Sequence, residues 1–144
     1  MEIHPQQIGP ATVQVPGSKS YTHRTLIAAG LAEGESTVVR PLISEDSRLT
    51  MQALRQMGVV VSRPGETVTL TGCGGRPRPA EGPIELGNSG TSMRLLTAVT
   101  ALGEGDYTLT GSPRMQERPI RELGDALNVL GVPVTYAGRP GCPP

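Results

Sequence analysis

Apolar and polar residues follow the same rhythm in two parts of this chain. In the first, Leu26, Ala29 and Leu31 supply an apolar helical face, predicting a helix over 22–32 that stops at Gly34. A short strand is predicted over 36–40. Leu49, Ala53, Leu54 and Met57 then recur at helical spacing, predicting a second helix over 47–57 with Gly58 at its C-terminal end. Two strands follow, 59–62 and 67–70, joined by the turn-forming Arg63-Pro64-Gly65-Glu66. The second part predicts a strand over 83–86, a helix over 91–101, a strand over 106–110, a helix over 120–130 and a strand over 132–136.

The two parts also share residues. RTLIAAGLAEGESTVV from Arg24 lies over RLLTAVTALGEGDYTLT from Arg94 at an offset of 70, which becomes 71 at Gly34 and Gly105. Residues 53–61 lie over 126–134 at an offset of 73. The insertions fall in predicted loops, as expected if each copy is one structural unit. The last predicted strand has no partner before the chain reaches Cys142-Pro143-Pro144. The chain therefore reads as α/β (α+β), one complete unit and most of a second, belonging to a longer polypeptide.

Composition narrows the function classes. The 144 residues carry 13 basic and 13 acidic side chains, so the cationic excess of a nucleic-acid binder is missing. Three Tyr, no Phe and no Trp leave few platforms for stacking bases. The first residues, Met1-Glu2-Ile3-His4, have neither a basic region nor an apolar stretch, and the apolar run at 95–103 is far short of the roughly 20 residues a membrane helix needs. Cys73 and Cys142 lie 69 residues apart with no His cluster near either, which reads as two free thiols in a reducing cytoplasm. No metal-ligand spacing and no Ser-His-Asp arrangement stands out.

Candidate chemistry lies just before the first helix of each copy. There stand Pro16-Gly17-Ser18-Lys19-Ser20-Tyr21-Thr22-His23-Arg24 and Leu86-Gly87-Asn88-Ser89-Gly90-Thr91-Ser92-Met93-Arg94. Small residues let a ligand approach the backbone, and the unpaired N–H groups and dipole of a helix N-terminus favour an anion. The hydroxyls of Ser18, Ser20, Thr22, Thr91 and Ser92 can donate to it, and Lys19, Arg24 and Arg94 add full charges. The same serines also suit plain helix caps. The first loop departs from a Walker loop, because Lys19 follows Ser18 where that motif needs Gly.

A third element, Gly111-Ser112-Pro113-Arg114-Met115-Gln116-Glu117-Arg118-Pro119-Ile120, carries two arginines four apart ahead of a helix. They suit bidentate recognition of carboxylate or phosphate, or else a solvated loop in which Arg118 pairs with Glu122. In copy one the corresponding Asp46 is either a helix cap or the partner of a lysine. His23 sits beside Arg24, which allows it a local role in the anion loop.

These residues carry a family resemblance. PGSKSYTHR, LGNSGTSMRLL and PRMQERPIREL resemble, in order and spacing, three signatures of the shikimate-pathway enolpyruvyl transferases, the 5-enolpyruvylshikimate-3-phosphate synthases. Members are about three times this length, so the resemblance is to their N-terminal third. It implies an enolpyruvyl transferase fold of repeated βαβαββ units, of which about one and two-thirds are present, 16–82 and 83–144. Residues 1–15 would belong as strand to the other domain. The implied reaction moves the enolpyruvyl group of phosphoenolpyruvate to the 5-hydroxyl of shikimate 3-phosphate and releases phosphate. It needs no cofactor, no metal, no nucleic acid and no membrane, and the full-length enzyme would be a cytoplasmic monomer.

Residue by residue, the resemblance implies that Lys19 is catalytic and touches both substrates. Ser20 and Arg24 would bind shikimate 3-phosphate. Asn88, Gly90, Thr91 and Arg118 would bind phosphoenolpyruvate, with Gly90 kept small for that ligand. Asp46, Arg94 and Arg114 would support. Many members carry Ala where this chain has Ser89 and Ser92. Other ligands and the proton-transfer groups of the family lie in segments this chain does not contain, so the chain by itself is expected to be inactive. Two rivals differ in features the sequence displays. A UDP-N-acetylglucosamine enolpyruvyl transferase would show Lys-Asn where Lys19-Ser20 stands and a Cys in the 111–120 loop. The second rival is a non-catalytic fragment that binds phosphorylated ligands or a partner.

Overall fold

A computed structural model describes His4 and residues 9–144. Helix α1 (Lys19–Leu31) begins three residues before the predicted start at 22, because Ser18 caps it: the Tyr21 N–H donates to Ser18 Oγ at 3.4 Å. Strand β1 (Glu35–Val39) follows. Helix α2 (Glu45–Gln56) opens with a reciprocal cap between Ser44 and Ser47, and Glu45 and Asp46 in its first turn suit the positive end of its dipole. Strands β2 (Val60–Ser62) and β3 (Thr67–Thr71) complete an antiparallel sheet in the order β1-β3-β2.

The register sets Val38 opposite Val68 and Val61 opposite Leu70. Strand alternation turns these four inward, while Val39 and Val60 face solvent, 66% and 65% exposed. Helices α1 and α2 cover the inner face, with Leu26, Leu54 and Met57 fully buried beneath them. Gly30 allows that close approach, since a Cβ there would lie 3.0 Å from the Leu54 side chain. The loop after β3 satisfies the open end of α1: the Cys73, Gly74 and Gly75 N–H groups donate to the Gly30, Ala32 and Leu31 carbonyls at 2.8, 3.0 and 2.7 Å.

The second unit comprises β4 (Ile84–Glu85), α3 (Gly90–Thr100), β5 (Leu109–Thr110) and α4 (Arg121–Val129). β4 and β5 pair in parallel across the α3 crossover. Ile84, Leu86, Met93 and Leu96 join Met51 and Leu54 in one core, so the two units fold against each other.

Three expectations need correction or limits. The strand expected over 106–110 is confined to β5, and that expected over 83–86 to β4. Residues 132–136 form no strand. A ladder needs a partner, and none lies beside them among the described residues. Their polar groups turn elsewhere: Val134 N–H donates to Asn128 Oδ1 at 2.8 Å, and Asn128 Nδ2 donates to the Val134 carbonyl at 3.3 Å. The tail folds back as well, with Ala137 N–H donating to the Pro144 carbonyl at 2.7 Å. Residues 9–15 are exposed and lack regular structure, while 1–3 and 5–8, part of the strand expected over 1–15, lie outside the described residues.

Candidate functional site

The N-termini of α1 and α3 converge on a cavity of about 330 Å³. Each helix is capped by a serine, Ser18 and Ser89, so these two hydroxyls serve as caps and the residues beyond them face the cavity. Ser20 and Thr91 sit two positions past their caps, where helix N–H groups have no intrahelical acceptor. Arg24, Arg94 and Arg118 complete the polar wall, with Gly90 and Leu95. Three guanidinium groups and no carboxylate make it an anion cavity by charge as well as by helix dipole.

The arginines are placed differently. The offset between the caps is 71, one more than the offset between Arg24 and Arg94. Arg24 is therefore the sixth residue of its helix and Arg94 the fifth, and the two side chains leave roughly 100° apart around their axes. Neither lies in the first turn of its helix. Arg94 is occupied: its Nη2 donates to the Pro119 carbonyl at 2.9 Å and its Nη1 to the Gly90 carbonyl at 3.4 Å. Arg24 is exposed and has no carboxylate partner among the described residues.

Arg118 comes from the 111–118 loop, which fully buried Met115 anchors in the core. Met115 N–H and Arg118 N–H each donate three residues back, to the Ser112 and Met115 carbonyls, winding the loop into tight turns. Arg118 thereby reaches over α3, and its Nη1 donates to the Asn88 carbonyl at 3.3 Å. The guanidinium lies directly on Gly90, where a Cβ would stand 2.6 Å from Nη2 and 2.8 Å from Cζ. Gly90 thus makes room for Arg118. The alternative pairing with Glu122 is not formed. Arg114 points away, in an exposed pair with Glu117 at 3.3 Å.

Lys19 forms an ion pair with Asp46 from the first turn of α2. Asp46 is the lysine's partner, and the cap of α2 is Ser44. The structure thus gathers Ser20, Arg24, Gly90, Thr91, Arg94 and Arg118 around the cavity. Lys19 and Asp46 are engaged with each other outside its wall, Asn88 contributes its carbonyl to Arg118, and Arg114 stands apart.

His23 departs from the role expected beside Arg24. It is fully buried, its Nδ1 lying 2.9 Å from Thr50 Oγ1, because its position on α1 shares a face with Leu26 and Gly30. Burial pushes the imidazole pKa below its ordinary 6.5, opposed by the attraction of Asp46 and assisted by the repulsion of Lys19. Sequence reading missed Thr50 altogether. The signal that could have found this link was the pair Ser89 and Ser92, two hydroxyls three apart on a face that otherwise packs apolar residues.

Comparison with known proteins bears on the whole chain. The family profile of EPSP synthase (3-phosphoshikimate 1-carboxyvinyltransferase) matches residues 4–144. A 3-phosphoshikimate 1-carboxyvinyltransferase of Methanosphaerula palustris is 49% identical over 144 residues, covering 96% of this chain and 34% of that protein. One from Paraburkholderia phymatum is 42% identical, covering 100% of this chain and 33% of that protein. Among solved structures, EPSP synthase from Acinetobacter baumannii superposes with a TM-score of 0.86 at 35% identity, over 92% of this chain and 30% of that one. The chain spans about a third of the length of the curated relatives it matches. Among the described residues, no helix is long and apolar enough to cross a membrane.

Proposed function

Because the chain belongs to the EPSP synthase (3-phosphoshikimate 1-carboxyvinyltransferase) family, we propose that its arginine-lined cavity is one wall of an enolpyruvyl transferase active site. The reaction transfers the enolpyruvyl group of phosphoenolpyruvate to the 5-hydroxyl of shikimate 3-phosphate, with release of inorganic phosphate. The observation that carries this reading is three arginines and two open helix N-termini around one cavity with no acidic group in its wall.

The residues divide the work by where they sit. Ser20 and Arg24 on α1 hold shikimate 3-phosphate, Arg24 having a charge to give to an incoming phosphate. Gly90, Thr91 and the Asn88 loop hold phosphoenolpyruvate, with Arg118 already positioned over the α3 N-terminus. Arg94 braces the Pro119 backbone, and Arg114 adds charge at a distance. Lys19, held by Asp46 outside the cavity wall, turns toward the arriving anions and contacts both substrates. Neutralising and orienting two polyanions is the contribution of this wall, at about 1.5–3 kcal/mol per charged hydrogen bond.

In this reading residues 16–144 form part of one domain, as units 16–82 and 83–144, and residues 1–15 belong to another. The enzyme is cytoplasmic and monomeric and needs no cofactor, a setting compatible with the free thiols Cys73 and Cys142. The 144-residue chain binds ligand without turning it over, because the family's remaining ligands lie in other segments. Calorimetric titration with shikimate 3-phosphate tests the site. Heat of binding is expected, and Arg24→Ala should weaken it by about 10-fold or more. No heat with the unsubstituted chain would overturn the reading, and turnover of both substrates by the chain alone would overturn the claim of inactivity.

A further inference from the structure

A buried chain of hydrogen bonds joins the two halves of the cavity wall. Thr50 Oγ1, on α2, lies 2.9 Å from His23 Nδ1 on α1 and 2.8 Å from Ser92 Oγ on α3. Ser92 Oγ in turn lies 2.6 Å from Oγ of Ser89, the cap of α3. The Thr50 and Ser92 hydroxyls both also face the Asp46 carbonyl at 3.3 Å. All four side chains are at most 1% exposed.

The ends of the chain are what distinguish it from an ordinary buried cluster. Ser89 Oγ accepts from the Ser92 N–H and so sets the α3 N-terminus on which Arg118 rests. Asp46 holds Lys19 through its carboxylate and receives the chain through its carbonyl. His23 precedes Arg24 on α1. The chain thus ends at the cap beneath Arg118 on one side and at the partner of Lys19 and the residue before Arg24 on the other.

Nε2 of His23 is buried and without a partner, which a bare acceptor tolerates better than an N–H would. His23 is therefore neutral with its proton on Nδ1, from which it donates to Thr50 Oγ1. The Thr50 and Ser92 hydroxyls carry the donation on among Ser92, Ser89 and the Asp46 carbonyl.

We propose that the His23–Thr50–Ser92–Ser89 chain fixes the Lys19–Asp46 pair and the Arg118–Gly90 loop in register, with His23 as a positioning residue. This rests on the anion-site reading above. His23→Leu, His23→Asn, Thr50→Val and the Leu/Val double variant of the 144-residue chain are titrated with shikimate 3-phosphate, and their urea midpoints are measured alongside. His23→Leu and Thr50→Val should each raise Kd by about five- to tenfold. The double variant should be no worse than the weaker-binding single, because both cut one chain. His23→Asn, whose amide N–H replaces Nδ1–H, should restore Kd to within about twofold.

Lowered urea midpoints with Kd unchanged, or losses that multiply in the double variant, would overturn the positioning role. An unsubstituted chain that gives no heat with shikimate 3-phosphate would fail the anion-site reading, and positioning with it, before any variant is compared. Should His23→Leu fail to fold, Thr50→Val and the tautomer still decide. Long-range proton–nitrogen spectra should show His23 protonated at Nδ1 alone, and an Nε2–H signal would overturn the assignment.

Discussion

The two helix-capping loops share a plan and are held in opposite ways. Ser18 caps α1 from an exposed position through a 3.4 Å bond, and its loop leans on the 40–42 backbone. Leu42 N–H donates to Thr22 Oγ1 at 2.9 Å, and Arg40 adopts a left-handed backbone, φ 48°, just beyond β1. Ser89 caps α3 from 1% exposure, inside the hydroxyl chain, with Arg118 across its first turn. The second loop is therefore set by tertiary contacts before any ligand arrives. The first keeps its guanidinium, Arg24, available. Preorganisation and unspent charge are two routes to the same chemistry, and one wall uses both.

The glycines break this comparison most sharply. A Cβ on Gly17 would lie 2.8 Å from the Arg40 carbonyl oxygen and 2.9 Å from the Leu42 nitrogen, which are backbone and cannot swing aside. Gly17→Ala should cost about 1–3 kcal/mol of stability by overpacking. At Gly90 the obstacle is the mobile end of the Arg118 side chain. Gly90→Ala should leave the urea midpoint nearly unchanged and weaken phosphoenolpyruvate binding severalfold. Equal stability losses in the two variants would erase the distinction.

The caps give the next largest effect. Ser89→Ala strands the Ser92 N–H and removes one of the buried Ser92 hydroxyl's partners, so it should cost about 1–2 kcal/mol in urea denaturation, against about 0.5–1 kcal/mol for Ser18→Ala. A reversed order would mean that the first loop is the more firmly built.

The smallest effect is in pH. The folded pKa of His23 lies below its ordinary 6.5, so the unfolded chain takes up the proton first. The resulting stability is complete above about pH 6.5 and is lost as pH falls through the lower folded value. Thermal midpoints measured from pH 8 to 5 should decline below 6.5 in the wild type, and His23→Asn should remove that decline. The subtraction cancels His4, which both proteins carry. An identical decline in both would show that burial of His23 does not govern it.

Much of the fold was legible in the residue pattern. Helical spacing in 49, 53, 54 and 57 and strand alternation in 59–62 and 67–70 depend on neighbours near in sequence, and the helices and the β1-β3-β2 strands appear within a few residues of prediction. Strand 132–136 failed because pairing is not a local property. The same limit governed the site. The loops announced anion chemistry through small residues, hydroxyls and cations, but which guanidinium at the cavity was already engaged with backbone carbonyls was not legible from them. Arg24 and Arg94 align in sequence yet leave their helices in different directions.

By itself, the sequence determined the family, the repeated helix-and-strand order and the two capped helix starts, because each is written in short-range spacing and residue type. Tertiary structure alone decided that Lys19 meets Asp46, that Arg118 lies on Gly90 and not beside Glu122, and that His23 is buried against Thr50. Those outcomes join residues 27 or 28 positions apart, and a pattern cannot supply the packing that chooses among partners at such range.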